Sequence, residues 1–100
     1  MELEYSPQVL LNVHTPELLK ADLATKLMTR IGDLPVSIRV YKAYAHLRIG
    51  TLVQKSPEEL LKRKNFGRKS LQEIVGLLDV LGISIGMELP PEVLEALAKE

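Results

Sequence analysis

The chain has no cysteine among its 100 residues, so no disulfide can staple it and no thiolate can hold a metal. That composition fits a reducing compartment, and a cytoplasmic protein is expected. The opening Met-Glu-Leu-Glu has neither the basic segment nor the apolar run of a secretory signal. No stretch reaches the roughly 18 uncharged apolar residues of a membrane span, so no membrane partner is expected. A phosphate-cradling Gly-x-x-x-x-Gly-Lys loop is missing. His14 and His46 lack Cys or His partners at metal spacing. Ser70 has no His–Asp pattern to activate it. Glu58 and Glu59 are neighbours whose side chains diverge on a helix, one capping and one solvated. The expectation is a protein that is not an enzyme and needs no cofactor or metal.

Neither sign of charge is in excess, with 13 basic and 13 acidic residues. The neutrality hides blocks. Residues 1–33 carry three basic and five acidic side chains, 34–88 nine and five, and 89–100 one and three. A basic middle is thus flanked by acidic ends, a pattern that concerns partners more than fold.

What is present is mostly helix punctuation. A Ser or Thr cap followed by Pro satisfies one orphan N–H and removes another, so Ser6-Pro7, Thr15-Pro16 and Ser56-Pro57 mark helix starts. A short turn or helix is expected at about 7–12 and a longer helix over 16–31, closed by Gly32. Leu19, Leu23, Leu27 and Ile31 recur every four residues along it. That stripe is core packing or, alternatively, a self-association face, which would make a homodimer through residues 16–31. Pro35 biases Leu34 away from helix, and Ser37 caps a helix to about 46 with Ile38, Tyr41 and Ala45 on one face. "IGTLVQ" is a short helix at 49–54. "SPEELLKR" is a helix with Ser56 and Glu59 in capping-box spacing. "RKSLQEIVGLLDVLG" is an amphipathic helix with Leu71, Ile74, Leu77, Leu78 and Leu81 inward and Gly82 at its end. "ISIGM" is a short extended closing segment, and Pro90-Pro91 open a last helix over 91–99. The fold class is all-α, a compact bundle of short helices with an N-terminal helical arm. Residues 1–33 form the arm, 34–88 the module and 89–100 a short C-terminal helix.

The stretch "KRKNFGRKSL", residues 62–71, gathers Lys62, Arg63, Lys64, Arg68 and Lys69 around an Asn65-Phe66-Gly67 turn. Gly67 can take φ > 0 there and admits a close backbone. The helix that follows exposes unpaired N–H groups at its positive end, which suit an anion. Phe66, among charged neighbours, is expected to plug the core and pin the turn. Two short helices joined by a hydrophobic-x-Gly turn make a helix-hairpin-helix, which grips a nucleic-acid backbone without reading bases. A plain turn with solvated lysines is the structural alternative.

Residues 52–87, "LVQKSPEELLKRKNFGRKSLQEIVGLLDVLGISIGM", closely resemble the C-terminal domain of the bacterial RNA polymerase alpha subunit. That family shows a Leu-Val-x-(Lys/Arg)-(Ser/Thr) opening, an Asn-(Leu/Phe)-Gly-(Lys/Arg)-Lys-Ser-Leu-x-Glu-Ile turn and helix, and a Leu-Ser-Leu-Gly-Met finish. The resemblance is looser over 34–51. It implies a helical domain of transcription that binds the minor groove of A·T-rich promoter DNA and docks regulators. Its partners would be DNA and RNA polymerase subunits, sigma factor or transcription activators. Asn65, Gly67, Arg68, Lys69 and Ser70 would contact the DNA backbone, and Glu73 matches an acidic, protein-docking position or else pairs with Ser70 as a cap. The family's first helix carries Ser-Val-Arg-x-x-Asn, where this protein has "SIRVYKAY". One alignment puts Arg39 on the Arg and Lys42 on the Asn; the ungapped one puts Val36 on the Arg and Arg39 on the Asn. In both, Arg39 is the basic residue nearest the groove. The alternative is a protein-interaction module of the same fold that binds polymerase or a regulator without DNA, its groove-reading pair altered and its acidic ends repelling DNA; an N-terminal helix packed over Arg39 and Lys69 would favour it.

Overall fold

Side-chain caps at Asp22, Ser37 and Ser56 set the starts of three of the helices. A computed structural model describes residues 15–100 and contains seven helices among them: α1 Thr15–Lys20, α2 Leu23–Met28, α3 Ile38–Tyr44, α4 Ile49–Val53, α5 Pro57–Leu61, α6 Arg68–Val80 and α7 Pro91–Ala98. A 3₁₀ turn spans Ile31–Asp33. The fold is all-α; an isolated bridge between Arg30 and Arg48 is the one sheet-like pairing among the described residues. The turn or helix expected at 7–12 lies outside those residues. No described helix is long and apolar enough to cross a membrane.

The single helix expected over 16–31 is instead α1, α2 and the 3₁₀ turn. Asp22 causes the break. Its backbone is extended (φ −73°, ψ 169°) and its Oδ1 accepts the Thr25 N–H at 2.8 Å, so it starts a new helix. That hydrogen bond holds the Asp22 carboxyl below the usual carboxylate range. The four-residue stripe is therefore not continuous: Leu27 and Ile31 are buried, Leu23 half-buried and Leu19 exposed. Leu27 and Ile31, two of the four residues of that stripe, belong to the core.

At several other elements local chemistry acts as expected, but the extended segment expected over 83–87 is instead a turn at Ile85 and Gly86, with Gly86 at φ 88°. Leu34 is extended before Pro35 (φ −99°, ψ 159°). Ser37 caps α3 through the Val40 N–H. Ser56 and Glu59 form a reciprocal capping box at α5, and the Ser56 N–H lowers the Glu59 carboxyl. Leu81 and Gly82 close α6, where Lys26 Nζ donates to the Leu81 carbonyl at 3.0 Å. The phase of α3 is the exception of interest. Ile38, Tyr41 and Ala45 do share a face, but Ile38 and Tyr41 are exposed, and the inward residues are Val40, Ala43 and Tyr44.

α2, α4 and α7 pack against one another. A Cβ at Gly50 would sit 2.8 Å from Leu97 Cδ1 and 3.2 Å from the Leu27 carbonyl, so a larger residue here would need Leu97 to move and the packing on Leu27 to loosen. Arg48 ties the same layer together, donating to the Met28 carbonyl at 2.7 Å and pairing with Glu100 at 2.8 Å. Leu18, Leu27, Leu52, Leu78, Leu89 and Val93 all belong to one core. The described part of the segment expected as an arm and the last helix thus pack into the same interior as residues 34–88.

Candidate nucleic-acid interface

α5 and α6 pack against each other, and the turn between them is pinned from inside. Phe66 is buried and meets the Tyr44 ring edge-on, with centroids 5.0 Å apart and planes at 86°. Tyr44 Oη donates to the Leu60 carbonyl at 2.9 Å. Burial pushes the Tyr44 phenol up, partly offset by Arg63, so it stays a protonated donor. The Arg63 guanidinium lies 5.8 Å from the Tyr44 ring centroid. A second tie joins α3 to α6: the Ser37 N–H donates to Glu73 Oε2 at 2.6 Å. α3 is therefore fixed at both ends, by Glu73 at its start and by Tyr44 at its finish.

Between α3 and the turn lies a groove of about 820 Å³. Arg39, Lys42, Asn65 and Gly67 line it, together with Arg63 and Lys64, and no carboxylate does. Four of the eight expected site residues thus converge. Arg68 and Lys69 are exposed in the first turn of α6, directly after Gly67. Ser70 and Glu73 are not at the surface. Ser70 is 5% exposed, and Glu73 is 6% exposed with its carboxylate accepting from the Ser37 N–H. The docking role expected for Glu73, and its pairing with Ser70, give way to capping of α3. Val36 is packed against the core, which leaves Arg39 and Lys42 as the basic pair of α3 in the groove.

The turn itself differs from expectation in one respect. Gly67 is extended (φ −110°, ψ −170°), a conformation open to any residue, and the left-handed position is Asn65 (φ 64°). Gly67 matters for what it lacks. Nothing lies within 4 Å of where its Cβ would be, and α6 has no side-chain cap. The first intrahelical bond runs from the Leu71 N–H to the Gly67 carbonyl, so the preceding N–H groups of this terminus make no helix bond and remain available to an anion. Asn65→Gly should hold or slightly raise stability, because glycine removes the left-handed penalty, whereas Asn65→Ala should cost about 1 kcal/mol. Urea unfolding of both variants measures this, and the glycine variant then separates any contact by the Asn65 amide from its role in the turn.

Arg63 and Lys64 were legible only as charge; their place in the groove depends on the packing of α3. Among the described residues, no segment covers Arg39 or Lys69, both of which are exposed. Residues 17–79 match the family described as the C-terminal domain of the alpha subunit of bacterial RNA polymerase.

Proposed function

We propose, from the premise that this protein belongs to the family of bacterial RNA polymerase alpha C-terminal domains, that it holds the minor groove of A·T-rich promoter DNA in the groove between α3 and the α5–α6 turn. The family is a non-catalytic domain of the transcription machinery. The observation that carries the proposal is the convergence of Arg39, Lys42, Arg63 and Lys64 on one concave surface without an acidic side chain. Arg39 enters the minor groove, whose negative potential is strongest where A·T tracts narrow it. Lys64, Arg68, Lys69 and the free N–H groups at the start of α6 take phosphates, in the manner of a helix-hairpin-helix. Phosphate contacts fix register, and the Arg39 contact supplies the preference for A·T pairs.

A second groove, of about 610 Å³, shares no residue with the first and is lined by Lys55, Glu59, Val75, Ile83 and Ile85 among others. It gives an RNA polymerase subunit, sigma factor or activator a place to dock while DNA occupies the basic groove. The rival reading, protein docking in place of DNA, requires the basic groove to be covered or repelled, and no described residue covers it.

Fluorescence anisotropy on A·T-rich and G·C-rich duplexes across a salt series tests the proposal. Binding should favour the A·T-rich duplex, with log K falling against log salt at a slope of about −3 for three or four phosphate contacts. Absence of binding at the lowest salt would leave the protein-docking reading in its place.

A further inference from the structure

We infer that the backbone of the DNA flanking the A·T site lies in a third groove, at the far end of α3, so that affinity depends on the length of the flanking duplex and not on its sequence; the inference rests on the groove reading above. This groove, of about 400 Å³, is lined by His46 and Leu47 from the turn after α3 and by Lys55, Glu59, Lys62 and Arg63 from α5 and its flanks. Arg63 also lines the basic groove, so the two are continuous through its side chain. They follow in order along α3 and the turn after it, with Arg39 and Lys42 in the first and Tyr44 and His46 in the third. From Arg39 to His46 a helical rise gives about 10 Å, or roughly three phosphates along one strand. Both walls are held. Arg30 Nη1 donates to the His46 carbonyl at 2.6 Å, and the Arg63 guanidinium sits over the Tyr44 ring where the grooves meet.

Charge selects the occupant. The basic groove holds four cations, the third groove adds Lys55 and Lys62, and the start of α6 adds Arg68 and Lys69, so eight of the chain's 13 basic side chains gather around α3 and the turn. Against Lys55, Lys62 and Arg63 the third groove sets a single carboxylate, Glu59. The Ser56 N–H, which donates to Glu59 Oε1 at 3.0 Å, does most to hold that carboxyl below the usual carboxylate range, and Lys55 and Lys62 add to the effect. Three cations against one engaged anion leave the groove positive. A continuous run of cations fits the regular charge of a phosphate backbone, and such contacts fix position without reading bases. An acidic protein segment would also be drawn to Lys55 and Lys62, but the shared Arg63 joins this groove to the one assigned to DNA.

The test compares a hairpin duplex carrying only a short A·T-rich core with the same core extended on both sides by about five G·C base pairs, roughly 17 Å each. Full-length wild type, Lys55→Gln/Lys62→Gln and Glu59→Gln are titrated by anisotropy across a salt series. On the core all three should bind alike, with the slope of about −3 that the basic groove supplies. On the extended duplex the wild-type slope should steepen by about two. The double variant should lose that added slope and bind the extended duplex about ten- to thirtyfold more weakly at low salt, the scale of two unit-charge contacts in water. Glu59→Gln keeps the capping box, because an amide oxygen also accepts the Ser56 N–H, and should bind the extended duplex about fivefold tighter. Flanks of permuted G·C sequence should bind equally. End effects of the longer duplex are common to all three proteins, so the differences between them report the groove. Thermal melts confirm that each variant folds. Equal slopes for wild type and the double variant on the extended duplex, with the core still bound, overturn the inference and leave the basic groove's reading intact. Failure of wild type to bind either duplex overturns both.

Discussion

Arg39→Ala should lower affinity for an A·T-rich duplex by about ten- to a hundredfold, the loss of one groove contact worth roughly 1–3 kcal/mol. The side chain is exposed on α3, so its truncation leaves the core untouched and the thermal midpoint should stay near wild type. Arg39→Lys should recover only part of the loss. An ammonium keeps the charge but lacks the planar, weakly hydrated fork that suits a narrow groove. Lys69→Ala should behave differently. It should weaken A·T-rich and G·C-rich duplexes alike and reduce the salt slope by about one, as removal of a phosphate contact does. Anisotropy titrations at two or more salt concentrations separate the two patterns. Equal losses from Arg39→Ala on both duplexes would place Arg39 on the backbone and not among the bases.

Tyr44→Ala should destabilise the fold by about 3–5 kcal/mol, the range for deleting a buried aromatic ring. Against a total of roughly 5–15 kcal/mol for a domain of this size, that is enough to unfold much of the population. The magnitude follows from how many parts meet at this ring. Tyr44 is 5% exposed, stacks edge-on with Phe66 and supports Arg63. Its hydroxyl joins α3 to α5 through the Leu60 carbonyl. Tyr44→Phe keeps the ring and should cost only about 1 kcal/mol, the usual net value of one hydrogen bond. Urea titrations should show the midpoint falling in the order wild type, Phe, Ala at constant m-value. A loss for Tyr44→Phe as large as for Tyr44→Ala would mean that the hydroxyl, and not ring packing, joins α3 to the turn. Because α3 carries Arg39, DNA binding should survive Tyr44→Phe.

Much of this arrangement was legible in the sequence because it depends on near neighbours. The capping box of Ser56 and Glu59, the cap at Ser37 and the extended Leu34 before Pro35 are local hydrogen-bond and steric effects. So was Phe66, whose isolation among charges marked it as buried. What was hidden depends on contacts between distant segments. α3 presents two apolar stripes at helical spacing, Ile38-Tyr41-Ala45 and Val40-Ala43-Tyr44, and periodicity cannot choose between them. The partners of Tyr44 and Glu73, in α5 and at Ser37, make the choice and turn Ile38 outward. Glu73 looked like an exposed acid because its partner lies 36 residues away. The four-residue stripe through Leu19 and Ile31 favoured one helix, but Asp22 supplied a stronger local signal in its carboxylate and the Thr25 N–H. The turn needed one left-handed residue, and glycine drew the assignment although Asn65 takes it.

The most direct test of DNA holding between α3 and the turn is a titration of the ¹⁵N-labelled protein with an A·T-rich duplex, followed by amide chemical shifts. Changes should concentrate at Ile38–Lys42 and Arg63–Lys69, with α7 and the Val75–Ile85 groove unmoved. Changes confined to α7 or to that second groove, with the Arg39 and Gly67 amides silent, would contradict it.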